Sequence, residues 1–211
     1  MIGYSSRMDN ATTRDAIKAL ALQLLIQQGY RGLNFRDIAE GLDITRANIH
    51  YHFGNKQTLV EELVTEYVEG TLAALAGIWT TTRPFLAKID AMIAYSKERY
   101  LRQNAPGNGG RPWSLISRLR QDADLLTPAG RNALQRFGGE LTRILTNSIE
   151  ESKSQGEFSP DLPVTDVASL LATLASNAAP ITIEAGGFER LERLYLSYAN
   201  LVLRAFRPAS P

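Results

Sequence analysis

The chain has 211 residues, which is enough to bury one good hydrophobic core or two small cores that share a helix. Its formal net charge of +1 is too small for a protein that binds nucleic acid through bulk positive charge alone. The absence of cysteine excludes disulfides, thiolate metal sites and sensing through a thiol.

The first predicted helix begins at a capping box formed by Thr12 and Asp15. A hydroxyl at the N-cap and an acid three residues later can satisfy the free N–H groups of a first turn. Apolar residues then recur at helical spacing as far as Gly29, which favours the end of the helix.

Two short helices joined by a tight turn follow, and local chemistry predicts where each begins. Asn34 is the expected N-cap of the first helix, and Asp37 completes the cap three residues later. Asp43 stands where the chain must reverse, and Asp tolerates the left-handed backbone that such a turn favours. Thr45 is the expected N-cap of the second helix.

The second short helix carries more polar chemistry than a plain surface helix needs. Its buried face requires only Ile49 and Phe53. Arginine and asparagine can read base edges in the major groove of DNA, while threonine, tyrosine and histidine can fix phosphates. The residues outside the buried face have this mixture: Arg46, Asn48, His50, Tyr51 and His52.

These helices resemble the DNA-binding domain of tetracycline-repressor (TetR) family regulators over about residues 12–63. The matching pattern comprises Ile38-Ala39-Glu40, Ile44-Thr45, residues 47–53 (ANIHYHF), Asn55-Lys56 and Leu59. Two positions depart from the family pattern, because the turn glycine is Asp43 and the small residue early in the second helix is Ala47. The resemblance implies an all-α fold, with an amino-terminal three-helix bundle that contains the helix-turn-helix and a carboxy-terminal helical domain for ligand binding and dimerisation.

The resemblance also implies a function. We expect a homodimer that binds a palindromic double-stranded DNA operator as a repressor and is released by an unidentified small-molecule effector. Residues 1–56 would form the DNA-binding domain and residues 57–211 the regulatory domain. The expected DNA contacts are Asn34, Arg36, Thr45, Arg46, Ala47, Asn48, His50, Tyr51, His52 and Lys56.

Two basic residues flank this predicted surface. Lys56 begins a long helix that would link the two domains, and its charge combines with the free N–H groups of a helix N-terminus as a phosphate clamp. Arg14 lies near the start of the first helix. It either reaches a flanking phosphate or is a solvated surface charge, and the sequence leaves both open.

The regulatory half begins after Pro84, which breaks the long helix. Helical periodicity predicts further helices from Phe85 to about Gln103, from about Trp113 to Ala123, and from Pro128 to Ser154. Between the first two, residues 104–113 (NAPGNGGRPW) predict an irregular loop.

The pair Gly138-Gly139 interrupts an otherwise good helical pattern, at a cost of about 1 kcal/mol per glycine relative to alanine. Two explanations stay open, which are close packing of another helix and room for a ligand beside Phe137. Aromatic residues are candidate pocket walls, and Arg99, Arg118 or Arg120 could pair with an acidic group of a ligand. The candidate ligand-binding residues are Trp79, Tyr95, Arg99, Tyr100, Trp113, Arg118 and Phe137.

Two apolar stripes near the end of the chain, one running up to Pro180, are wide enough for two neighbours. The family resemblance places them in a four-helix dimer interface, and a palindromic operator requires two-fold symmetry. The expected interface residues are Val167, Leu171, Leu174, Leu194, Tyr198 and Leu201.

Enzymatic chemistry is not expected. The two histidines, His50 and His52, stand two apart in one short helix and do not converge, so we expect no metal site, and no cofactor motif is present. The absence of a long apolar run or a signal peptide predicts a cytoplasmic protein without a membrane span. Two alternatives are a DNA-binding regulator controlled by a protein partner and a helical enzyme or carrier that does not bind DNA.

Overall fold

The computed structural model describes the backbone of residues 3–105 and 109–208, and side chains from Thr12 onward within these ranges. The described residues form helices joined by turns and loops, and this confirms the all-α prediction. The α-helices are α1 (Gly3–Gly32), α2 (Phe35–Leu42), α3 (Arg46–Phe53), α4 (Lys56–Trp79), α5 (Phe85–Gln103), α6 (Leu115–Arg120), α7 (Pro128–Ser154), α8 (Val164–Ser176), α9 (Ala178–Ala185) and α10 (Glu189–Ala205).

The caps predicted for the two short helices are confirmed. The Asn34 side chain accepts a hydrogen bond from the Asp37 N–H at 2.9 Å, and the Thr45 hydroxyl accepts one from the Asn48 N–H at 3.2 Å. Asp43 has the left-handed conformation, with φ of 53°. These contacts set where α2 and α3 begin and where the chain reverses, through chemistry within a few residues.

A buried apolar layer fixes the angle between α1 and the helix pair. Ile17, Ala21 and Leu25 of α1 are fully buried, and they share one core with Ile38 of α2 and Ile49 of α3. Because α2 and α3 are only two turns long, burying these side chains supplies most of their stability. The polar side of α3 is left outside this core.

Two predicted boundaries of the first half need correction. The helix predicted to begin at Thr12 already runs from Gly3, so Thr12 is an interior residue of α1. A capping box in the sequence is a local option, and it is not used when the preceding residues continue the helix. Gly29 interrupts α1 as predicted, with φ of 75°, but three further residues belong to the same helix.

The predicted helices Phe85–Gln103 and Pro128–Ser154 are confirmed as α5 and α7. The predicted helix from Trp113 to Ala123 is wrong in length. It is reduced to α6 (Leu115–Arg120), capped by Ser114, and is followed by a 3₁₀ turn over Ala123–Leu125. Of the predicted irregular loop, residues 106–108 lie outside the described residues, and the other loop residues lack regular secondary structure.

The stripe predicted to run up to Pro180 is divided between two helices. The chain leaves helical geometry at Asn177, and Pro180 lies in the first turn of α9. Proline is tolerated there because the first-turn N–H groups have no partner within the helix. Among the described residues, no individual helix is long and apolar enough to cross a membrane. Within this part of the chain, only α8 and α9 taken together have that length and apolar composition, and they are bent by 51° relative to each other.

The glycine pair of α7 is explained by neither proposed reason. A Cβ added at Gly138 or Gly139 would meet no atom within 4 Å, so close helix packing is the wrong explanation. Gly138 borders a surface cavity beside Arg120 and Arg131, whereas Phe137 faces another cavity.

A buried lysine connects α4, α5 and α7. Lys88 is only 2% exposed, and its ammonium donates to the Ser148 hydroxyl at 3.0 Å. That hydroxyl in turn donates to the Trp79 carbonyl at 2.5 Å, at the C-terminus of α4. The positive charge is therefore linked through one hydroxyl to the negative end of a helix dipole.

This chain of hydrogen bonds gives a stability prediction. Ser148→Ala leaves a buried ammonium and a carbonyl without their partner, so we expect the free energy of unfolding to fall by about 1–3 kcal/mol. Urea denaturation followed by circular dichroism measures the loss. The matched control is Ser154→Ala, an exposed serine of the same helix, which should change stability by less than about 0.5 kcal/mol. Equal midpoints for the two variants would contradict this role of Ser148.

Candidate nucleic-acid interface and central cavity

The N-terminal half of α3 and its cap form an open surface. Thr45, Arg46 and Ala47 are exposed, and the Tyr51 ring one turn later is 75% exposed. Arg46 makes no ion pair with another described residue. The surface therefore offers a hydroxyl, an unpaired guanidinium and a phenol on two turns of one helix, which is a suitable set for base edges and phosphates.

Two predicted contacts on α2 are engaged with neighbours. Asn34 uses its amide on Asp37, both as acceptor from the backbone and as donor to the carboxylate at 2.8 Å. Arg36 pairs with Glu40 at 2.7 Å, and both side chains are exposed. A surface pair of this kind is worth about 0.3–0.5 kcal/mol, so Arg36 can exchange Glu40 for a phosphate at little cost.

His50 is held by two contacts. Its Nδ1–H donates to the Gly54 carbonyl at 2.7 Å, and its ring packs edge-on against Phe35, with centroids 5.0 Å apart. In the neutral ring this tautomer leaves Nε2 as an acceptor. His50 is exposed, so that nitrogen can meet a hydrogen-bond donor from outside.

Asn48 and His52 are less available than predicted. Both are half-buried, and the Asn48 Oδ1 and the His52 Nε2 atoms are buried without a hydrogen-bond partner among the described residues. Unsatisfied buried polar atoms are uncommon in native structures. Both atoms are therefore acceptor or donor sites that the described residues leave unused.

Lys56 begins α4 as predicted, but its side chain turns back toward α1. Its ammonium lies over the Tyr30 ring, 4.5 Å from the centroid. Burial lowers the pKa of Lys56, and the nearby Asp122 carboxylate offsets part of that shift. Arg14 is partly exposed, pairs with Glu62 at 2.6 Å and lies over the Phe53 ring, and its two predicted roles stay predictions.

A contact absent from the sequence predictions joins the two halves of the chain at this point. Asp122, after the C-terminus of α6, accepts a hydrogen bond from the Tyr30 N–H at 2.9 Å. The interruption of α1 at Gly29 exposes that N–H. A Cβ at Gly29 would lie 2.7 Å from the Asp122 carboxylate and 3.0 Å from the Arg118 Nε, and the φ of 75° there also favours glycine.

Four of the predicted ligand-binding residues meet in one central cavity of about 50 Å³ between the regulatory helices. They are Tyr95, Arg99, Trp113 and Phe137. The sequence did not single out the other polar residues of the wall, because each also fits an ordinary helix position. These are Thr71, Ser96, Ser114, Ser176 and Tyr195.

The remaining candidates lie elsewhere. Trp79 borders a groove of about 360 Å³ between α4 and α7. Tyr100 is buried between the rings of Trp113 and Phe188 and does not line the central cavity. Arg118 lines a neighbouring cavity of about 230 Å³ and also approaches Gly29.

The predicted dimer residues differ in exposure. Leu201 is 70% exposed and Leu194 is also exposed, while Leu174 and Tyr198 are half-buried. Val167 and Leu171 are buried inside the chain, so in this conformation they support the surface from within. The neighbouring Leu170, which was not selected, is 64% exposed.

Comparison with known proteins agrees with the geometry of α1 to α4. Residues 17–63 match the sequence profile described as bacterial regulatory proteins, tetR family. The chain is 22% identical over 155 residues to the HTH-type transcriptional repressor KstR2 of Mycolicibacterium smegmatis, covering 73% of this chain and 71% of that protein. It is 41% identical over 59 residues to the probable HTH-type transcriptional regulator YttP of Bacillus subtilis, covering 28% of each.

A solved TetR transcriptional regulator from Chloroflexus aurantiacus has the same fold. It superposes with a TM-score of 0.77 over 96% of this chain and 100% of that chain, at 18% identity. At this identity the likeness establishes the fold alone. The relatives that match in sequence are named as transcriptional regulators or repressors and not as enzymes. Residues 17–63, which contain the helix-turn-helix of α2 and α3, therefore match the amino-terminal domain of the tetR family of bacterial regulatory proteins.

Proposed function

We propose that this regulator is a repressor that binds a palindromic operator as a homodimer and releases it when a small molecule enters the central cavity. The observation that carries the proposal is the exposed face of α3, where Arg46 and Tyr51 stand beside a capped N-terminus. KstR2 of Mycolicibacterium smegmatis is named a repressor, which supports the same outcome here. In this proposal residues 1–56 bind DNA, and residues 57–211 bind the effector and the second subunit.

The contacts divide by chemistry. Arg46, which lacks an acidic partner among the described residues, is placed to read base edges in the major groove. Thr45 and Tyr51 carry exposed hydroxyls for phosphates, and Arg36 becomes available when it leaves Glu40. Asn48 and His52 are half-buried with an unsatisfied polar atom each, so we assign them to contacts formed on binding.

Exposed leucines support the proposed dimer. Leu170 of α8 and Leu194 and Leu201 of α10 expose apolar surface to water. Contact with a second copy of the chain would bury that surface, which is favourable. A two-fold axis between these helices would present two copies of α3 to successive major grooves, about 34–36 Å apart.

Effector entry can act on DNA binding through α6. The residues Trp113, Ser114 and Ile116 at its N-terminal end line the central cavity. At its other end Asp122 holds the interruption of α1. A ligand that enlarges the cavity displaces α6, and the DNA-bound and ligand-bound conformations then differ in affinity for the operator.

Control by a protein partner is the second candidate, and the small volume of the cavity favours it. About 50 Å³ holds a few water molecules and not a drug-sized ligand without movement of the walls. A thermal-shift screen of metabolites distinguishes the two candidates, because a protein-controlled regulator gives no hit.

If Arg46 reads a base edge, its removal should weaken operator binding and change the base preference. The operator is isolated by retaining genomic fragments on the wild-type protein, and affinity is measured by fluorescence anisotropy over a range of salt concentrations. Arg46→Ala should cost about 1–3 kcal/mol of binding free energy and relax the base preference at one position of each half-site.

The matched control is Arg102→Ala, which removes the same charge from an exposed position on α5 paired with Glu98. It should change the operator affinity by less than about twofold, since exposed pairs contribute little. If Arg46→Ala kept both the affinity and the base preference of the wild type, α3 would not read DNA in the proposed way.

The contact between α6 and α1 gives the second prediction. Asp122→Ala removes the acceptor of the Tyr30 N–H, and we expect about 1 kcal/mol less stability at this contact and about fivefold weaker operator binding. Hydrogen exchange at the Tyr30 amide should accelerate by a similar factor. Asp122→Asn keeps an acceptor oxygen and should retain most of the affinity.

The control for this experiment is Asp124→Ala, which removes an exposed acid from the same turn. Faster exchange at Tyr30 with unchanged operator affinity would separate the contact from DNA binding, and it would argue against transmission through α6.

A further inference from the structure

We propose that the effector of this regulator is an anionic carboxylic acid with an apolar body, and that its carboxylate binds Arg99 in the central cavity. This inference rests on the proposed function, since it names the chemical class of ligand for the same cavity. It depends on the hydrogen-bond donors that the cavity leaves unused.

Arg99 is bonded only to neutral hydroxyls among the described residues. Its guanidinium donates to Thr71 Oγ1 at 3.2 Å and to the hydroxyls of Tyr95 and Tyr67. The rings of both tyrosines also lie within 5.1 Å of the guanidinium carbon. These contacts hold the guanidinium in one orientation, and none of them neutralises its charge.

The number of donors shows what is missing. An arginine side chain has five N–H donors. Both on Nη1 are used by Thr71 and Tyr95, and one on Nη2 is used by Tyr67. One Nη2–H and the Nε–H remain, and a carboxylate is an acceptor that a guanidinium binds strongly through charge-assisted hydrogen bonds.

The tyrosine hydroxyls add to this surplus of donors. Tyr67 accepts from Arg99 and from the Leu115 N–H at 3.2 Å, so its own O–H is left to donate. The Tyr195 hydroxyl on the cavity wall is buried without a hydrogen bond of good geometry to any described residue. Arg99 and Tyr195 both line the cavity, so an acceptor placed there can meet donors of both, whereas Tyr67 lies outside the lining and orients Arg99.

The wall of the cavity supplies no competing acid. Among the described residues that line it there is neither aspartate nor glutamate, whereas Arg99 contributes a full positive charge. A partly buried charge without a partner is costly, and an entering carboxylate supplies that partner. A neutral ligand of the same shape does not.

The other walls indicate an apolar body. Trp113, Phe137 and Met92 border the same space. Trp113, Ser114 and Ala179 also border the neighbouring cavity of about 230 Å³. Trp113 therefore lies between the two cavities, and a 2.7 Å hydrogen bond from its Nε1–H to the Thr182 hydroxyl holds it there. An acid too large for the central cavity would extend past Trp113 into the neighbouring one and displace the start of α6.

The test compares acids with their own amides. The probes are a panel of straight-chain carboxylic acids of about 2 to 12 carbons and of aromatic acids from benzoate to naphthoate, each with its primary amide, at concentrations up to about 10 mM. Binding to the full-length protein is followed by calorimetry and by tryptophan fluorescence, which Trp113 should report. Release of the retained operator fragment is measured on the same preparations.

We expect at least one acid to bind and release the operator, with its amide about 10–150-fold weaker, the range that one charge-assisted pair supplies. Arg99→Gln should weaken the acid by that factor and leave the amide within about threefold, whereas Arg99→Lys should restore part of the preference. Arg118→Gln, which removes an arginine of the neighbouring cavity, should keep the preference for the acid.

Three results would overturn the inference: equal binding of acids and amides, an acid preference that survives in Arg99→Gln, and no binding of any acid. Release of the operator by amides as effectively as by acids overturns the acid class but supports the proposed regulator. Failure to retain any DNA fragment is seen separately, before a probe is added, and it counts against the proposed function itself.

Discussion

A hydrogen bond from the Tyr30 N–H to the Asp122 carboxylate joins the DNA-binding helices to the end of α6. It exists because Gly29 leaves helical geometry and exposes a backbone donor that must be satisfied elsewhere. The positive φ of Gly29 favours glycine there, and an added Cβ would lie 2.7 Å from the Asp122 carboxylate. Lys56 lies beside the same carboxylate and over Tyr30, so the start of α4 meets α1 and the end of α6 at one joint.

The short helix α6 is in contact with another part of the molecule at each of its two ends. Its six residues begin at the wall of the central cavity and end beside α1, so a displacement at one end cannot be absorbed within the helix. α4 connects the same two regions by a second route, since it begins at Lys56 and carries Tyr67 and Thr71 to Arg99. A ligand that moved Arg99 or Trp113 would therefore act on both connections to the DNA-binding helices.

The sequence predicted the features that depend on neighbouring residues. The caps at Asn34 and Thr45 and the reversal at Asp43 follow from chemistry within four residues. The predictions failed where distant contacts decide. The role of Asp122 depends on a residue 92 positions away, and the helix predicted from Trp113 to Ala123 is reduced to the six residues of α6. The sequence around Tyr67 predicts an ordinary core position on α4, because nothing in it indicates that Arg99 of α5 lies beside it.

The two buried or partly buried cations of α5, Lys88 and Arg99, have different kinds of hydrogen-bond partner. Lys88 reaches the negative end of α4 through Ser148, so the fold itself supplies a compensating dipole. Arg99 is held as firmly, yet its partners are hydroxyls that donate as readily as they accept. A fold that needed Arg99 only to join α4 and α5 could place an acid beside it, as the Arg14–Glu62 pair does between α1 and α4. The missing acid at Arg99 is therefore the feature of the cavity that a ligand can complete.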